Sequence, residues 1–219
     1  MGPIMENKPD TFLSKKKITQ YIHYSDRTPI GKPMKQIVMT NNEALYPKYL
    51  ESQSTTKTGI NFFLRPVKTG DELLFKEFFR AVSDLSIYRR FGLKRKMMAD
   101  EKFQELVNID YMTRLVIIAI VKDDEKERAV GIGQYIVNET THTAEIALAV
   151  RDDFQNMGIG ASLLSKLTYE GKIIGRLFGF TAEVPETNQP MLHLFYTMGF
   201  YVQRLRRDGI CYLKMWFRK

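Results

Sequence analysis

The sequence predicts an α/β chain of the α+β kind: a mixed, mainly antiparallel sheet flanked by helices, with an N-terminal extension. Three observations lead there. Three β-rich segments follow one another with only the short turns DDEKE (Asp123–Glu127) and NETT (Asn138–Thr141) between them, which implies an antiparallel meander. From His142 to Val184 a strand, a helix and a strand succeed one another. That order needs a crossover, so these two strands are expected to be parallel neighbours. Two further β-rich segments close over Arg207, Asp208 and Gly209 as a final hairpin.

Residues 1–58 hold five of the eight prolines (Pro3, Pro9, Pro29, Pro33 and Pro47) and little sustained periodicity. The polar stretch ESQSTTKTG, Glu51 to Gly59, reads as a linker. The expected division is therefore 1–58 as extension and linker, and 59–219 as the domain. Tyr21, Ile22, Tyr24, Ile37, Val38 and Met39 could pack the extension onto that domain. Ile60 to Val67 is β-rich, with Pro66 marking an end or an edge. Asp71 to Ser83 places Leu73, Leu74, Phe78 and Val82 at helical spacing behind an acidic first turn. Met97 to Ile109 is a second helix with Phe103, Leu106 and Val107 on its apolar side. The meander strands run Arg114–Lys122, Arg128–Val137 and His142–Val150. Gly158 to Ile174 is a helix with Ile159, Leu163, Leu164, Leu167 and Ile174 on one side. Phe178–Val184 is a strand, Asn188–Met198 a helix ended by Gly199, and Phe200–Arg206 with Ile210–Phe217 the last hairpin.

Composition narrows the function classes. Hydrophobic residues make up 44% of the 219 and charged residues 26%, a balance that builds a real core and excludes a disordered or collagen-like chain. The longest apolar run, Leu115 to Val121, is far short of the roughly 20 residues of a membrane helix. No apolar h-region stands in the first twenty residues, so a cytoplasmic protein is expected. One cysteine, Cys211, and three histidines argue against an internal disulfide or a structural zinc site. Cys211 lies in an apolar strand with no histidine near it in sequence, so it reads as core rather than nucleophile.

The net charge is +8, shared equally between 1–58 and the remainder. Its sharpest cluster holds Arg80, Arg89, Arg90, Lys94, Arg95 and Lys96 against Asp84 alone; Arg204, Arg206 and Arg207 form another. Such patches attract polyanions or simply solvate a face. No nucleic-acid motif accompanies them, so nucleic acid is not an expected partner.

Chemistry concentrates in VRDDFQNMGIGA, Val150 to Ala161. A strand ends, a loop follows, and glycines open a helix, where backbone N–H groups can approach an anion at the positive end of the helix dipole. A glycine-rich helix start alone is shared by many nucleotide binders, and a tightly packed helix start would look the same. It is neither a Walker loop nor a G-x-G-x-x-G fingerprint.

The spacing Gln155-x-x-Gly158-x-Gly160/Ala161, behind an antiparallel meander, resembles motif A of the GNAT superfamily of acyl-CoA-dependent N-acyltransferases. In that family Arg/Gln-x-x-Gly-x-Gly/Ala binds the pyrophosphate of coenzyme A. The resemblance spans roughly Ile60 to Phe217. Within it FFLRPVKTGDELLFKEFFRAVSDLSIYRRF, ELVNIDY and AEVPETNQPMLHLFYTMGF are similar to the GNAT domain of protein lysine acetyltransferases. The resemblance implies a GNAT-like fold and acetyl-CoA as donor. It also implies cofactor contacts from Val150, Gln155, Asn156, Met157, Gly158, Ile159, Gly160, Ala161 and Asn188. Asn188 is equally a good helix N-cap. The implied acceptor is a protein lysine, metabolic enzymes being among the candidates, with no metal and no membrane involved. The alternatives are a small-amine N-acetyltransferase and a non-catalytic acyl-CoA-binding sensor.

Transfer to lysine needs a neutral amine, and free lysine titrates near 10.4, so a base must take its proton. Alternation over Thr143–Val150 sets Glu145, Ala147 and Ala149 on one face, a carboxylate on a strand of alanines with room for a ligand. Glu145 is the expected base, by direct amine attack in a ternary complex, and Glu183 is the fallback. A glutamate at this strand position also resembles the general base of related acetyltransferases, and the resemblance lets backbone near Val150 polarise the thioester oxygen. Many relatives place a tyrosine acid four residues before the glycine of LFYTMGF. Phe195 stands there, with Tyr196 one residue later and about 100° round the helix, so Tyr196 is the substitute candidate. Arg151 and the Arg89–Lys96 cluster are candidates to meet phosphates or an acidic surface.

Overall fold

Hydrogen-bonded neighbours assemble eight strands into one sheet in the order β1-β2-β3-β4-β5-β6-β8-β7 in the computed structural model. The structure describes residues 46–91, 100–123 and 126–218, with side chains over 46–88, 103–123 and 126–218. The expected packing of Tyr21, Ile22, Tyr24, Ile37, Val38 and Met39 lies outside these residues. The strands are β1 Ser52–Thr55, β2 Asn61–Pro66, β3 Arg114–Asp123, β4 Lys126–Asn138, β5 Thr143–Val150, β6 Gly179–Pro185, β7 Tyr201–Arg207 and β8 Ile210–Trp216. The helices are α1 Glu72–Ala81, α2 Asp84–Phe91, α3 Asp100–Val107, α4 Ile159–Tyr169 and α5 Gln189–Thr197. Every pairing is antiparallel except β5 with β6, the two strands joined by the α4 crossover. The mixed sheet and its single parallel step match the sequence expectation.

The run Leu115–Val121 is buried throughout, because β3 sits inside the sheet with apolar packing on both faces. On α1 the buried set is Phe75, Phe78 and Phe79, continued by Val82, spaced i, i+3, i+4, i+7. Leu73, expected on that stripe, is 63% exposed: the three phenylalanines set the buried face and turn it outward. Phe62 is buried and Phe63 half-buried, while the Phe91 side chain lies outside the described set. Across the sheet α4 comes down on β4 at Gly131. A Cβ there would stand 2.9 Å from Ile159 Cγ2 and 3.0 Å from Leu163 Cδ1, so the absent side chain permits the approach. Ile159 is accordingly 1% exposed, a core residue by its side chain.

Three local readings change. The linker stretch contains β1, four polar residues held by backbone pairing to β2 (Ser52 with Leu64 through Thr55 with Asn61), so its order comes from the ladder, not from apolar side chains. Helix α2 begins after a gap of only two residues, and among its described side chains Ile87 is buried while Leu85 and Tyr88 stay exposed, so these show no continuous apolar stripe. The helix expected to run to Ile174 becomes a wider π turn at Glu170–Ile174. The extra residue in that turn rotates the stripe, and Ile174 is 54% exposed.

Candidate functional site

Strands β5 and β6 pair only from Thr143 with Gly179 to Glu145 with Thr181. Beyond that point β5 stays on β4 as far as Val150, and β6 stays on β8 as far as Pro185. The two strands therefore part, and the edge of β5 from Ile146 onward has no ladder partner in β6. A cleft of about 410 Å³ is lined by the outer end of β5 (Leu148, Ala149, Val150), by the following loop and by α5.

The loop turns tightly. After β5 a single 3₁₀ turn spans Asp152–Phe154, Asn156 takes φ 61° and Gly158 takes φ 96° as the residue that opens α4. The left-handed value at Gly158 selects glycine, since a side chain there would be strained even though space is open. The leading N–H groups of α4 have no partner within the helix by its geometry, and neither an N-cap side chain nor a first-turn acid answers them. Gly158, Gly160 and Ala161 bring that helix start to the cleft wall. The Gln155 amide folds back to donate to the Val150 carbonyl at 3.2 Å and to Ser86 Oγ at 3.5 Å, tying the loop to the strand end.

Of the nine residues expected to contact the cofactor, Val150, Gln155, Asn156, Gly158, Gly160, Ala161 and Asn188 line this one cleft. Met157 and Ile159 do not. The Met157 carbonyl accepts the Lys57 N–H at 3.0 Å and its sulfur receives the Thr58 hydroxyl at 3.7 Å; the Ile159 side chain is core. Asn188 is buried and caps α5, its Oδ1 accepting from Met191 N at 3.4 Å, so cap and cleft wall coincide in one residue.

Among the cleft residues that the sequence reading does not assign to the site, two come from segments far away in the chain. Lys57 reaches the cleft from the turn between β1 and β2, inside the polar stretch that reads as a linker in sequence. Ser86 reaches it from α2. Its neighbour in the structure is Asp152, whose carboxylate accepts from Ser83 N (2.8 Å), Ser83 Oγ (2.8 Å) and Ser86 Oγ (2.9 Å). Partial burial works to raise the Asp152 carboxyl, but the Ser83 and Ser86 donors outweigh it and hold the group below the usual carboxylate range. Arg151, a candidate phosphate ligand, is taken by Asp153 in a two-bond ion pair at 3.0 and 2.6 Å and does not line the cleft. Its charge is spent within the loop. The Arg89–Lys96 side chains lie outside the described set.

Glu145 is exposed at the last paired position before the strands part, across from Thr181 on β6 and Ile136 on β4. It lines a second cavity of about 460 Å³ together with Thr181, Glu183, Tyr212 and Lys214. Register puts Glu145, Thr181, Lys214 and Gln203 in one row across four strands, on one face of the sheet. Tyr196 is elsewhere: 42% exposed on α5, near the Arg204 guanidinium, it lines a third cavity of about 290 Å³ with Arg206 and Cys211. The structure does not bring it to Glu145 or to the cleft of the glycine loop. Phe195 is buried, and Cys211 is 1% exposed, as expected of a core thiol. Among the described residues no group of three or more His, Cys, Asp or Glu could hold a metal ion, and no helix is long and apolar enough to cross a membrane.

A splayed parallel strand pair, an uncapped helix start behind a left-handed glycine, and a cleft of mixed polar and apolar lining between them suit a long ligand with an anionic end. The chain belongs to the Acetyltransferase (GNAT) family, whose model matches residues 81–200, more than half of its length. It is 26% identical over 146 residues to Acetyltransferase PA5475 of Pseudomonas aeruginosa, covering 67% of this chain and 78% of that protein. Among solved structures it is similar to the GNAT domain of S. lividans PAT, with a TM-score of 0.70, 23% identity, and coverage of 78% of this chain and 99% of that one. It also shares its fold with RimL, the ribosomal L7/L12 alpha-N-protein acetyltransferase in complex with coenzyme A, with a TM-score of 0.59 and 14% identity over 75% of this chain and 94% of that one. The protein is an acyl-CoA N-acyltransferase whose cofactor is acetyl-CoA.

The residues present fit that group. An uncapped α4 start suits a diphosphate, the β5 edge without a β6 partner suits an arm that carries amides, and Leu148, Met191 and Leu194 give the cleft apolar walls.

Proposed function

We propose that this acetyltransferase acts on the lysine amine of a protein, with Glu145 as general base. The observation that carries the reading is the position of Glu145. It is an exposed carboxylate at the parting of β5 and β6, facing a cavity of its own while the cleft of the glycine loop opens farther along the same strand. Val150, Gln155, Asn156, Gly158, Gly160, Ala161 and Asn188 would hold acetyl-CoA. Bound there, it supplies a thioester, an acyl group attached to a good leaving thiolate. The chain's own work is then to orient an amine and to remove its proton, which Glu145 does directly or through one water. Glu183 lines the same cavity and can favour entry of an ammonium ion by its charge. Tyr196 has no role in this proposal, and the departing thiolate takes its proton from solvent. A macromolecular acceptor is supported by the sequence similarity to protein lysine acetyltransferases and by the shared fold with the S. lividans PAT domain and with RimL, an acetyltransferase of protein α-amines.

The test is release of CoA thiol from acetyl-CoA with a protein extract or a panel of small amines as acceptor. Release driven by protein, with acetyl-lysine found by mass spectrometry, is the expected result. Release with small amines alone would replace the lysine reading, and binding of acetyl-CoA with no turnover on either acceptor would favour a sensor.

A further inference from the structure

The turn between β1 and β2 is a built element. Thr56 is 5% exposed; its N–H donates to the Ile60 carbonyl (2.8 Å) and its hydroxyl accepts from Ile60 N (2.9 Å). Gly59 N returns to the Thr56 carbonyl at 3.0 Å, with φ 88° at Gly59 completing the turn. This turn is fastened to the glycine loop by the Lys57 N–H, which donates to the Met157 carbonyl at 3.0 Å, and by the Thr58 hydroxyl on the Met157 sulfur. The result is an exposed lysine whose backbone is tied to the glycine loop beside the start of α4. Its Cγ lies 4.0 Å from the point where a side chain on Gly158 would begin.

The electrostatics are one-sided. Lys57 is the one lysine or arginine lining the cleft among the described residues, and no carboxylate lines it. The acids of the neighbouring loop are already engaged, Asp153 by Arg151 and Asp152 by Ser83 and Ser86. Lys57 itself makes no ion pair among the described residues. Among the described residues, a cation without an ion-pair partner stands beside helix N–H groups without partners, so an anion there would meet two independent sources of attraction.

We infer that Lys57 is a donor-binding residue whose ammonium meets the diphosphate of coenzyme A at the start of α4. This rests on the acetyl-CoA cofactor and goes beyond the glycine motif, because the charge comes from a turn some 100 residues away in sequence. The N-terminal hairpin thereby belongs to the cofactor site.

The experiment is titration of the full chain, wild type, K57Q and K57R, with CoA, dephospho-CoA and pantetheine. Glutamine keeps the backbone N–H that fastens the turn, so K57Q should melt where the wild type does. A lost charge-assisted contact is expected to weaken CoA and dephospho-CoA alike by about tenfold in K57Q. Pantetheine binding should not change, and K57R should retain most of the affinity. The CoA dissociation constant should also rise with salt less steeply in K57Q than in the wild type. Equal CoA affinity in K57Q, or the same loss for pantetheine, would overturn the inference. A loss seen with CoA and absent with dephospho-CoA would overturn it too, by moving the contact to the 3′-phosphate. A wild type that binds no CoA fails at the donor itself, which separates that failure from failure of the lysine.

Discussion

Glu145 and Glu170 are both glutamates on or near the central sheet, and their surroundings divide their roles. Glu145 faces water at the end of the β5–β6 pairing. E145Q keeps its shape and removes its basicity, so turnover with lysine acceptors should fall by about 100-fold or more while CoA affinity stays within twofold. Steady-state kinetics beside direct titration check both halves, and unchanged turnover would remove Glu145 from the chemistry. Glu170 is 5% exposed in the π turn; Oε1 accepts from the Tyr49 hydroxyl at 2.7 Å, and Oε2 has no hydrogen-bond partner among the described residues. Burial pushes its carboxyl above the usual range, with the Tyr49 bond opposing. The folded state thus holds this proton longer than the unfolded chain does. Stability from this group is complete below the ordinary glutamate range and declines as pH rises through the window between the unfolded and folded values. E170Q, which cannot ionise, should flatten that decline. Melting curves from pH 4 to 8 for both proteins should diverge upward in pH, and parallel curves would show that Glu170 does not titrate in this window.

At the scale of elements, the cleft depends on how short pieces are tied together. Asp152 joins the first turn of α2 to the loop after β5 through three donors, and Gln155 Nε2 approaches the same carboxylate at 3.4 Å. D152N retains one acceptor oxygen and presents an amide to the remaining donors. It should cost about 1 kcal/mol, since the site is partly open to water, and lower the melting temperature by a few degrees. A melting point equal to the wild type would show the clamp to be idle. Another tie is the buried pair of Arg65 and Asp71, joined at 2.6 and 2.8 Å, which sets the turn from β2 into α1. Most elements were legible from periodicity and turn chemistry. The exceptions share a cause. β1 is polar and ordered by backbone pairing, and among the described side chains of α2 Ile87 is buried while Leu85 and Tyr88 face water, so neither shows its buried face in a simple side-chain period. Asp71 reads in sequence only as an acid of a first turn, because its partner lies on the preceding strand.

At the scale of the whole molecule, a ligand that binds the folded chain and not the unfolded one must stabilise it. Saturation with CoA at about 100 times its dissociation constant should add about 2.7 kcal/mol. For a chain of this size that corresponds to a rise of roughly 5–10 °C in melting temperature. Thermal unfolding with and without CoA checks this, and no shift would contradict binding at the cleft. What the sequence by itself determined is the set of local patterns: the meander, the crossover, the glycines that open α4, and the alternation that isolates Glu145. Those depend on neighbours within one turn or one strand, where residue spacing equals geometry. Only the tertiary structure decided that Lys57 and Ser86 stand at the cleft, that Arg151 is consumed by Asp153, and that Tyr196 faces a different cavity from Glu145. Those are contacts between segments far apart in the chain or between side chains whose direction depends on packing, and no spacing along the sequence encodes them.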